Sequence, residues 1–567
     1  MSSSAVAESV LPTSNEPLAD GTASAVRSFP THSDQTESSS SVERARWNRR
    51  VVTCLLVLGL FRLLYLRVLP LELSVDEAYY WDWSRQLDWG YYSKPPLVAW
   101  IIRLGTSIAG ETEFGVRWPA AVLGTLGLWA VYALGRDLYS PRVGWWSLWL
   151  TCATPGLTAA ACLMTIDAPL LCAWAWSVWS VWRLFNRPQL TWRDWGLAWL
   201  STGCGLLAKQ TMLALFPLVA LGLCWRGGPE GIPRLTAFSR FARWCGGSLL
   251  ALLPVLWWNA QHHWVTIQHT RDHFRAASVA WWQHAVWCAE FLGSQAGVLS
   301  PLTACWCVVA ATTAVLHVKR LDSRARFLCV LSVWPLIPVL GLSLMQRVQP
   351  NWPAPFYLTA VVWLSALATG EVQGGVPSWR LCGLPRLRAA FAMGAVCVGC
   401  VLLLPFVLPA TAYSQSRYDP LARLQGWKAW ARAVWQHAQT LPEARDARWI
   451  CVSGRGPISL LAFYLPHQPR VARWNPLPLI ESQHDVWGCP PLADPQAVFV
   501  LLENQHDLPV GLREQLPHAR LLGTVTQIRS GRNVSWQVWY AAPRASVLMT
   551  HTSAPYQLAP PLEAPVW

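Results

Sequence analysis

The chain has 567 residues, 53% of them hydrophobic and only 13% charged, and its 12% aromatic content includes 39 tryptophans. Soluble domains carry about 25% charged residues, so an ordinary soluble enzyme is excluded, and so is a disordered chain. The formal net charge of +14 sits mostly in short Arg clusters between apolar runs of ~20 residues, long enough to cross a bilayer, which marks membrane topology rather than nucleic-acid binding.

Residues 1–43 are rich in Ser, Thr, Ala and Glu, without apolar periodicity, and read as a disordered cytoplasmic tail. No cleavable signal peptide is expected, because the first apolar run begins only at Val51. Arg44, Arg46, Arg49 and Arg50 precede that run and place the N-terminus in the cytoplasm. Residues 44–412 then read as a polytopic α-helical membrane domain. Its spans lie near 51–69, 117–138, 142–162, 168–185, 195–208, 211–225, 244–258, 296–317, 327–345, 352–369 and 388–412.

Alternate loops carry basic clusters: Arg136 and Arg142; Arg183, Arg187 and Arg193; Arg226 to Arg243; Lys319 to Arg326; and Arg380 to Arg388. All fall on the cytoplasmic side if the first does, and an odd number of spans puts 413–567 outside. Two outer segments exceed simple connectors. Residues 70–116 include an amphipathic stretch, Leu97 to Ile108, that reads as interfacial. Residues 259–295 are rich in Trp, His and Arg.

Residues 413–567 read as a small extracytoplasmic α/β domain. Leu421–Ala438 has helical amphipathicity, Ile458–Tyr464 and Leu512–Leu516 read as helical, and Trp449–Val452, Ala497–Leu502 and Val534–Tyr540 read as strands. The turn Ser453-Gly454-Arg455-Gly456 is given no functional weight, since a glycine turn after a strand is usually a plain connection. Nearly all 16 cysteines lie in apolar runs, where thiols act as small hydrophobes. Only Cys451 and Cys489 stand in a polar, folded region, where export permits a disulfide; free thiols are the equal alternative. Asn533-Val534-Ser535 is a glycosylation sequon, normally silent in a bacterium.

Chemistry-bearing residues gather on the outer face. In Ser74-Val75-Asp76-Glu77-Ala78-Tyr79-Tyr80-Trp81 the adjacent carboxylates point to different sides of the backbone. Asp76 reads as a general base beside apolar walls, and Glu77 as a group positioning the helix or a substrate. The plainer alternative is an acidic first turn of a helix. In Gly90-Tyr91-Tyr92-Ser93-Lys94-Pro95-Pro96 the prolines fix Lys94 at a helix mouth. Only four lysines exist, at 94, 209, 319 and 428, and two of them, Lys94 and Lys209, fall at the outer face. There an ammonium either binds phosphate or snorkels. Asp167, in Thr165-Ile166-Asp167-Ala168-Pro169, reads as a functional ionisable group at membrane depth or as an N-cap. His262, His263, His269 and His273 lack metal-ligand spacing, and a divalent metal is not supported.

Together these segments resemble bacterial members of the dolichyl-phosphate-mannose–protein mannosyltransferase family, which includes the lipid A aminoarabinose transferases, with a GT-C fold. The resemblance runs from about Val51 into the C-terminal domain. It rests on Asp76 to Trp81, Gly90 to Pro96, Asp167, Lys209, Trp258-Asn259 and Asn351-Trp352-Pro353-Ala354-Pro355. It implies a membrane glycosyltransferase that takes sugar from a polyprenyl-phosphate carrier, with no nucleotide sugar and no nucleic acid. The acceptor is then a hydroxyl of a glycolipid, glycan or protein outside the bacterial inner membrane.

In that frame Asp76 takes the acceptor proton, Asp167 orients acceptor or base, and Lys94 and Lys209, with Arg271, meet the phosphate. Attack opposite the phosphate inverts the anomeric centre. Tyr80, Tyr92, Asn351 and Trp352 complete the expected substrate contacts. Two departures stand out: Ser93 occupies the place of an acidic residue in aminoarabinose transferases, and Thr165-Ile166-Asp167 replaces the usual Thr-Pro-Asp. A transporter or flippase of lipid-linked saccharides is the alternative. It is disfavoured by the absence of a clear internal repeat and by charge gathered at one face.

Overall fold

A computed structural model of the protein describes residues 32–226, 232–273, 279–372, 383–477, 479–492, 496–529 and 531–542. Two compact units meet at Arg50/Val51. Of the first, the described part is the beginning of helix α1 (His32–Val68). Residues 32–43 of the expected tail are therefore helical, and the rest of that tail lies outside the described residues.

The second unit continues α1 and adds α2 (Val75–Ser84), α3 (Leu97–Ala109), α4 (Glu113–Leu138), α5 (Pro141–Cys152), α6 (Pro155–Ala160), α7 (Asp167–Asn186) and α8 (Trp192–Ala208). There follow α9 (Leu215–Arg226), α10 (Arg234–Leu249), α11 (Leu253–Gln261), α12 (Val265–His273), α13 (Trp281–Leu299) and α14 (Pro301–Leu316). The last of the helical array are α15 (Ser323–Ser332), α16 (Leu336–Ser343), α17 (Ala354–Thr369) and α18 (Leu384–Val407).

The protein is a multi-pass membrane protein. Among the described residues, five helical segments are long and apolar enough to cross a bilayer: Val42–Val68, Glu113–Leu138, Arg234–Gln261, Ser323–Ser343 and Leu384–Ala410. A sixth arises if α13 and α14, bent by 113°, count as one span. Each of the eleven expected spans falls on a helix or helix pair, but the count of eleven is not decided by these lengths. The central α7 is nearly all buried, and its four tryptophans and two serines dilute its aliphatic content. It packs with α4, α8 and α17 around Leu170, Trp174, Val178, Val361 and Trp363.

The described residues of 259–295, expected as a large outer loop, are more helical than their composition implied. α13 starts at Trp281, well before the expected span start at 296, and ends at Ser300, whose φ of 77° precedes Pro301 and turns the chain. Within residues 70–116, α3 buries Val98, Ala99 and Ile102 and leaves Leu104 and Ile108 exposed, the amphipathic division expected of it.

The C-terminal domain carries β1 (Arg448–Val452), β2 (Val471–Arg473), β3 (Val498–Glu503), β4 (Arg520–Arg529) and β5 (Arg532–Ala541), with α19 (Trp427–Ala438), α20 (Arg455–Tyr464), α21 (Gln483–Trp487) and α22 (Val510–Gln515). The sheet order is β2-β1-β3-β5-β4; β1 pairs in parallel with β2 and β3, while β5 runs antiparallel to β3 and β4. Strands β1, β3 and β5 lie where the sequence places them. The strands it omits are the sheet edges, one of three residues and one largely exposed. Cys451 and Cys489 are both free thiols.

Candidate active site

The site begins with a capping box. Ser74 Oγ accepts from the Glu77 amide and Glu77 Oε2 accepts from the Ser74 amide, which starts α2 at Val75. Asp76 then stands in the open first turn with its side chain 49% exposed, while Glu77 is wholly buried.

Arg117, near the start of α4, meets Glu77 in a bidentate pair, with Nε to Oε1 and Nη2 to Oε2 both at 2.8 Å. Its remaining donors go to the carbonyls of Leu71 and Glu72, each at 2.7 Å. Glu77 Oε1 also accepts from the Met164 amide at 3.1 Å. Met164 lies three residues before Asp167, so one buried ion pair ties the start of α2 to the segment that leads into α7. Glu77 is thereby satisfied on both oxygens and positions the helix; it has no oxygen left for proton transfer.

Asp167 is the first residue of α7, and the alternative reading of it as an N-cap is not what forms. The N-cap is Ile166, without a side-chain cap. The carboxylate instead receives Lys209 Nζ at 2.8 Å and Asn351 Nδ2 at 2.5 Å. Lys209 can reach it because α8 stops at Ala208 and Lys209 itself is extended.

Lys94 lies in the segment between α2 and α3 and is mostly buried. Among the described residues its ammonium has no hydrogen bond or ion pair. Burial, then the neighbouring Lys209 charge, lowers its pKa to about 8; the carboxylates of Asp167 and Asp76 act the other way, and Arg455 adds to the repulsion. Tyr80 is buried beside the same charges, and burial followed by the Asp76 carboxylate pushes its phenol well above the usual value.

One cation of this group was passed over in the sequence. Arg455 opens α20 of the C-terminal domain and places Nη2 2.9 Å from Asp76 Oδ1, with its guanidinium 4.8 Å from the Tyr79 ring centre. The approach depends on Gly456, where a Cβ would come within 2.8 Å of Val75. The turn judged a plain connection thus completes the cluster. The only sequence signal was an arginine between two glycines.

Further ties fix the C-terminal domain on α2. His484 Nε2 lies 2.9 Å from Asp82 Oδ2, the Gln483 amide donates to Tyr79 Oη at 2.6 Å, and the Leu73 amide donates to Tyr464 Oη at 2.7 Å. The other expected residues divide. Asn351 joins Asp167, and Trp352 is its neighbour in sequence. Tyr92 donates its amide to Gln483 Oε1 and sets its ring 4.7 Å from His269. Arg271 is exposed beside Asp272 at 3.7 Å, outside the cluster. Trp258 donates to Asp88 at 2.6 Å, and a Cβ on Gly90 would meet its ring at 2.7 Å, so that motif pair shapes the loop. Among the described residues no three His, Cys, Asp or Glu side chains form a metal-binding group.

Helix ends and the loops beside them thus gather two carboxylates, Asp76 and Asp167, and three cations, Lys94, Lys209 and Arg455, in a multi-pass membrane protein. Residues 93–258 match the family model described as dolichyl-phosphate-mannose-protein mannosyltransferase. The chain is 29% identical over 328 residues to a lipid A galacturonosyltransferase of Rhizobium johnstonii, covering 55% of this chain and 64% of that one. It is 26% identical over 443 residues to an undecaprenyl phosphate-alpha-4-amino-4-deoxy-L-arabinose arabinosyl transferase of Pseudomonas aeruginosa, covering 69% and 76%. A counterpart of the latter name in Pseudomonas fluorescens is 25% identical and only 49% spanned. The chain thus spans under two thirds of the Rhizobium johnstonii relative, 64% of its length, and just under half of the Pseudomonas fluorescens one, 49%.

The crystal structure of ArnT from Cupriavidus metallidurans superposes on 88% of this chain and all of its own, with a TM-score of 0.56 and 15% identity. Its form bound to undecaprenyl phosphate gives the same score over 87% of this chain and 98% of its own, at 16% identity. The chain shares the fold of these two structures.

Proposed function

We propose that the protein transfers a sugar from a polyprenyl-phosphate carrier to an acceptor hydroxyl of a glycolipid or glycan at the outer face of the membrane, with the N-terminus cytoplasmic and residues 413–567 extracytoplasmic. The observation that carries this reading is Lys94: a mostly buried ammonium without a partner among the described residues, beside two carboxylates already held by other cations. A lipid-linked donor cannot leave the bilayer, so its phosphate must meet cations where helices end at the membrane surface, and a cation cluster beside helix ends supports this reading. The relatives named for transfer from undecaprenyl phosphate, and the fold shared with a structure holding that lipid, support the same donor class.

In the proposed reaction Asp76 removes the acceptor proton, the acceptor oxygen attacks the anomeric carbon opposite the phosphate, and Lys94 meets the charge that develops on the leaving oxygen. Asp167, fixed by Lys209 and Asn351, orients the reacting groups.

The test is transfer by purified protein in lipid with a small panel of polyprenyl-phosphate sugars. Release of free polyprenyl phosphate by the wild type supports the reading. Movement of intact donor between leaflets without cleavage would instead identify a transporter. A pH prediction follows from Lys94. Affinity for a non-hydrolysable phosphodiester donor analogue, whose own charge is constant from pH 6 to 10, should hold below pH about 8. Above that it should fall by up to ~10-fold per pH unit as the ammonium loses its proton. Lys94→Arg should abolish the fall; flat wild-type affinity to pH ~10 would place the phosphate elsewhere.

A further inference from the structure

The C-terminal domain supplies Arg455, and its role rests on the proposed transfer reaction. Before substrate binds, the cluster holds three cations, Lys94, Lys209 and Arg455, and two carboxylates, Asp76 and Asp167. Lys209 is closed onto Asp167 at 2.8 Å and Arg455 onto Asp76 at 2.9 Å. An arriving phosphodiester brings one negative charge and balances the free Lys94. During transfer the balance shifts locally. The acceptor proton neutralises Asp76 while the leaving phosphate gains a second negative charge. Arg455 loses its counterion at the moment another appears beside Lys94.

We infer that Arg455 is the exchangeable cation of this site, holding Asp76 before reaction and passing to the leaving phosphate as Asp76 becomes protonated. The bond between the anomeric carbon and the phosphate oxygen breaks with its electron pair going to that oxygen. The bond from the anomeric carbon to the acceptor oxygen forms, and the acceptor proton ends on Asp76. No other reactant enters.

Three features fit the exchange. The Arg455 side chain is 42% exposed, so it is free to move, whereas Lys209 is 11% exposed and enclosed. Lys94 and Arg455 each feel the charge of Asp76, so the two cations share one neighbourhood. Gly456 leaves no room between the backbone and Val75, where a Cβ would come within 2.8 Å, so the side chain of Arg455 is the moving part. The domain that carries Arg455 is then a component of the catalytic centre rather than an appended acceptor module.

Binding of undecaprenyl phosphate, the monoester product, separates this from a merely structural pair. Asp76→Asn leaves Arg455 without its carboxylate, so the variant should bind the monoester about 5-fold more tightly than wild type, the size of one exposed charge pairing. Asp76→Asn/Arg455→Ala should lose that gain. A gain in affinity cannot arise from misfolding.

In turnover, Arg455→Ala should lower kcat by about 10²–10³-fold with donor KM little changed, and Arg455→Lys should recover part of the rate as a point charge. Unchanged monoester affinity in Asp76→Asn, or wild-type kcat in Arg455→Ala, overturns the exchange while transfer by the wild type still stands. Absence of transfer by the wild type would overturn the proposed reaction and the exchange together.

Discussion

Asp76→Asn is expected to reduce sugar transfer by at least ~10³-fold while donor binding and thermal stability stay near wild type. General-base assistance alone contributes about 10²–10⁴-fold, and asparagine keeps the shape of the side chain without its proton affinity. Stability should hold because the Asp76 side chain is 49% exposed and its single ion pair is also exposed; such pairs contribute about 0–1 kcal/mol. The check is a single-turnover assay with lipid-linked donor, alongside binding of the donor analogue. Normal turnover would remove Asp76 as base. Asp167 would be the next group to test, since Glu77 has both oxygens occupied.

Glu77→Gln should act in the opposite way, through folding. The Glu77–Arg117 pair is almost fully excluded from solvent, with side chains 0% and 2% exposed. Removing one partner leaves a buried guanidinium uncompensated, which costs about 3–5 kcal/mol. The loss should appear as a lowered denaturation midpoint of the detergent-solubilised protein. Glu77→Leu combined with Arg117→Met should restore only part of it. Replacing both charges with apolar groups is often close to neutral, but here the Leu71 and Glu72 carbonyls and the Ser74 and Met164 amides lose their side-chain partners. A Glu77→Gln variant that melts like wild type yet transfers no sugar would show that Glu77 takes part in the chemistry after all.

These two neighbours show what a sequence reveals and what it hides. The acidic pair was legible as two residues with separate tasks, because adjacent side chains diverge. Their partners were not, since Arg117 lies 40 positions from Glu77 and Arg455 lies 379 positions from Asp76. Local pattern carries no information about such pairings. Arg117 did leave one trace: a charged residue at the head of an apolar span must be paired or hydrated.

Asp167 shows the limit from the other direction. Its sequence context fits an N-cap well, and only the break of α8 at Lys209 and the return of Asn351 decide where the carboxylate points. Lys94 and Lys209 stood out because lysine is so scarce in a chain dominated by arginine. Arg271 shared the right segment but faces solvent.

The fold was legible wherever burial imposed a period. β1, β3 and β5 are central and apolar, and their positions follow from the sequence. β4 alternates only weakly along a largely exposed face, and β2 is too short to show any period. α13 was hidden because its first half is rich in Trp, His and Gln, a composition that resembles an outer loop until its neighbours are known.

The most direct measurement is the structure of the protein in lipid with undecaprenyl phosphate bound. The account predicts the phosphate within hydrogen-bonding reach of Lys94, with Arg455 turned from Asp76 toward it and Lys209 still on Asp167. A phosphate held away from Lys94, with the Asp76–Arg455 pair intact, would contradict the assignment of this cluster as the site of transfer.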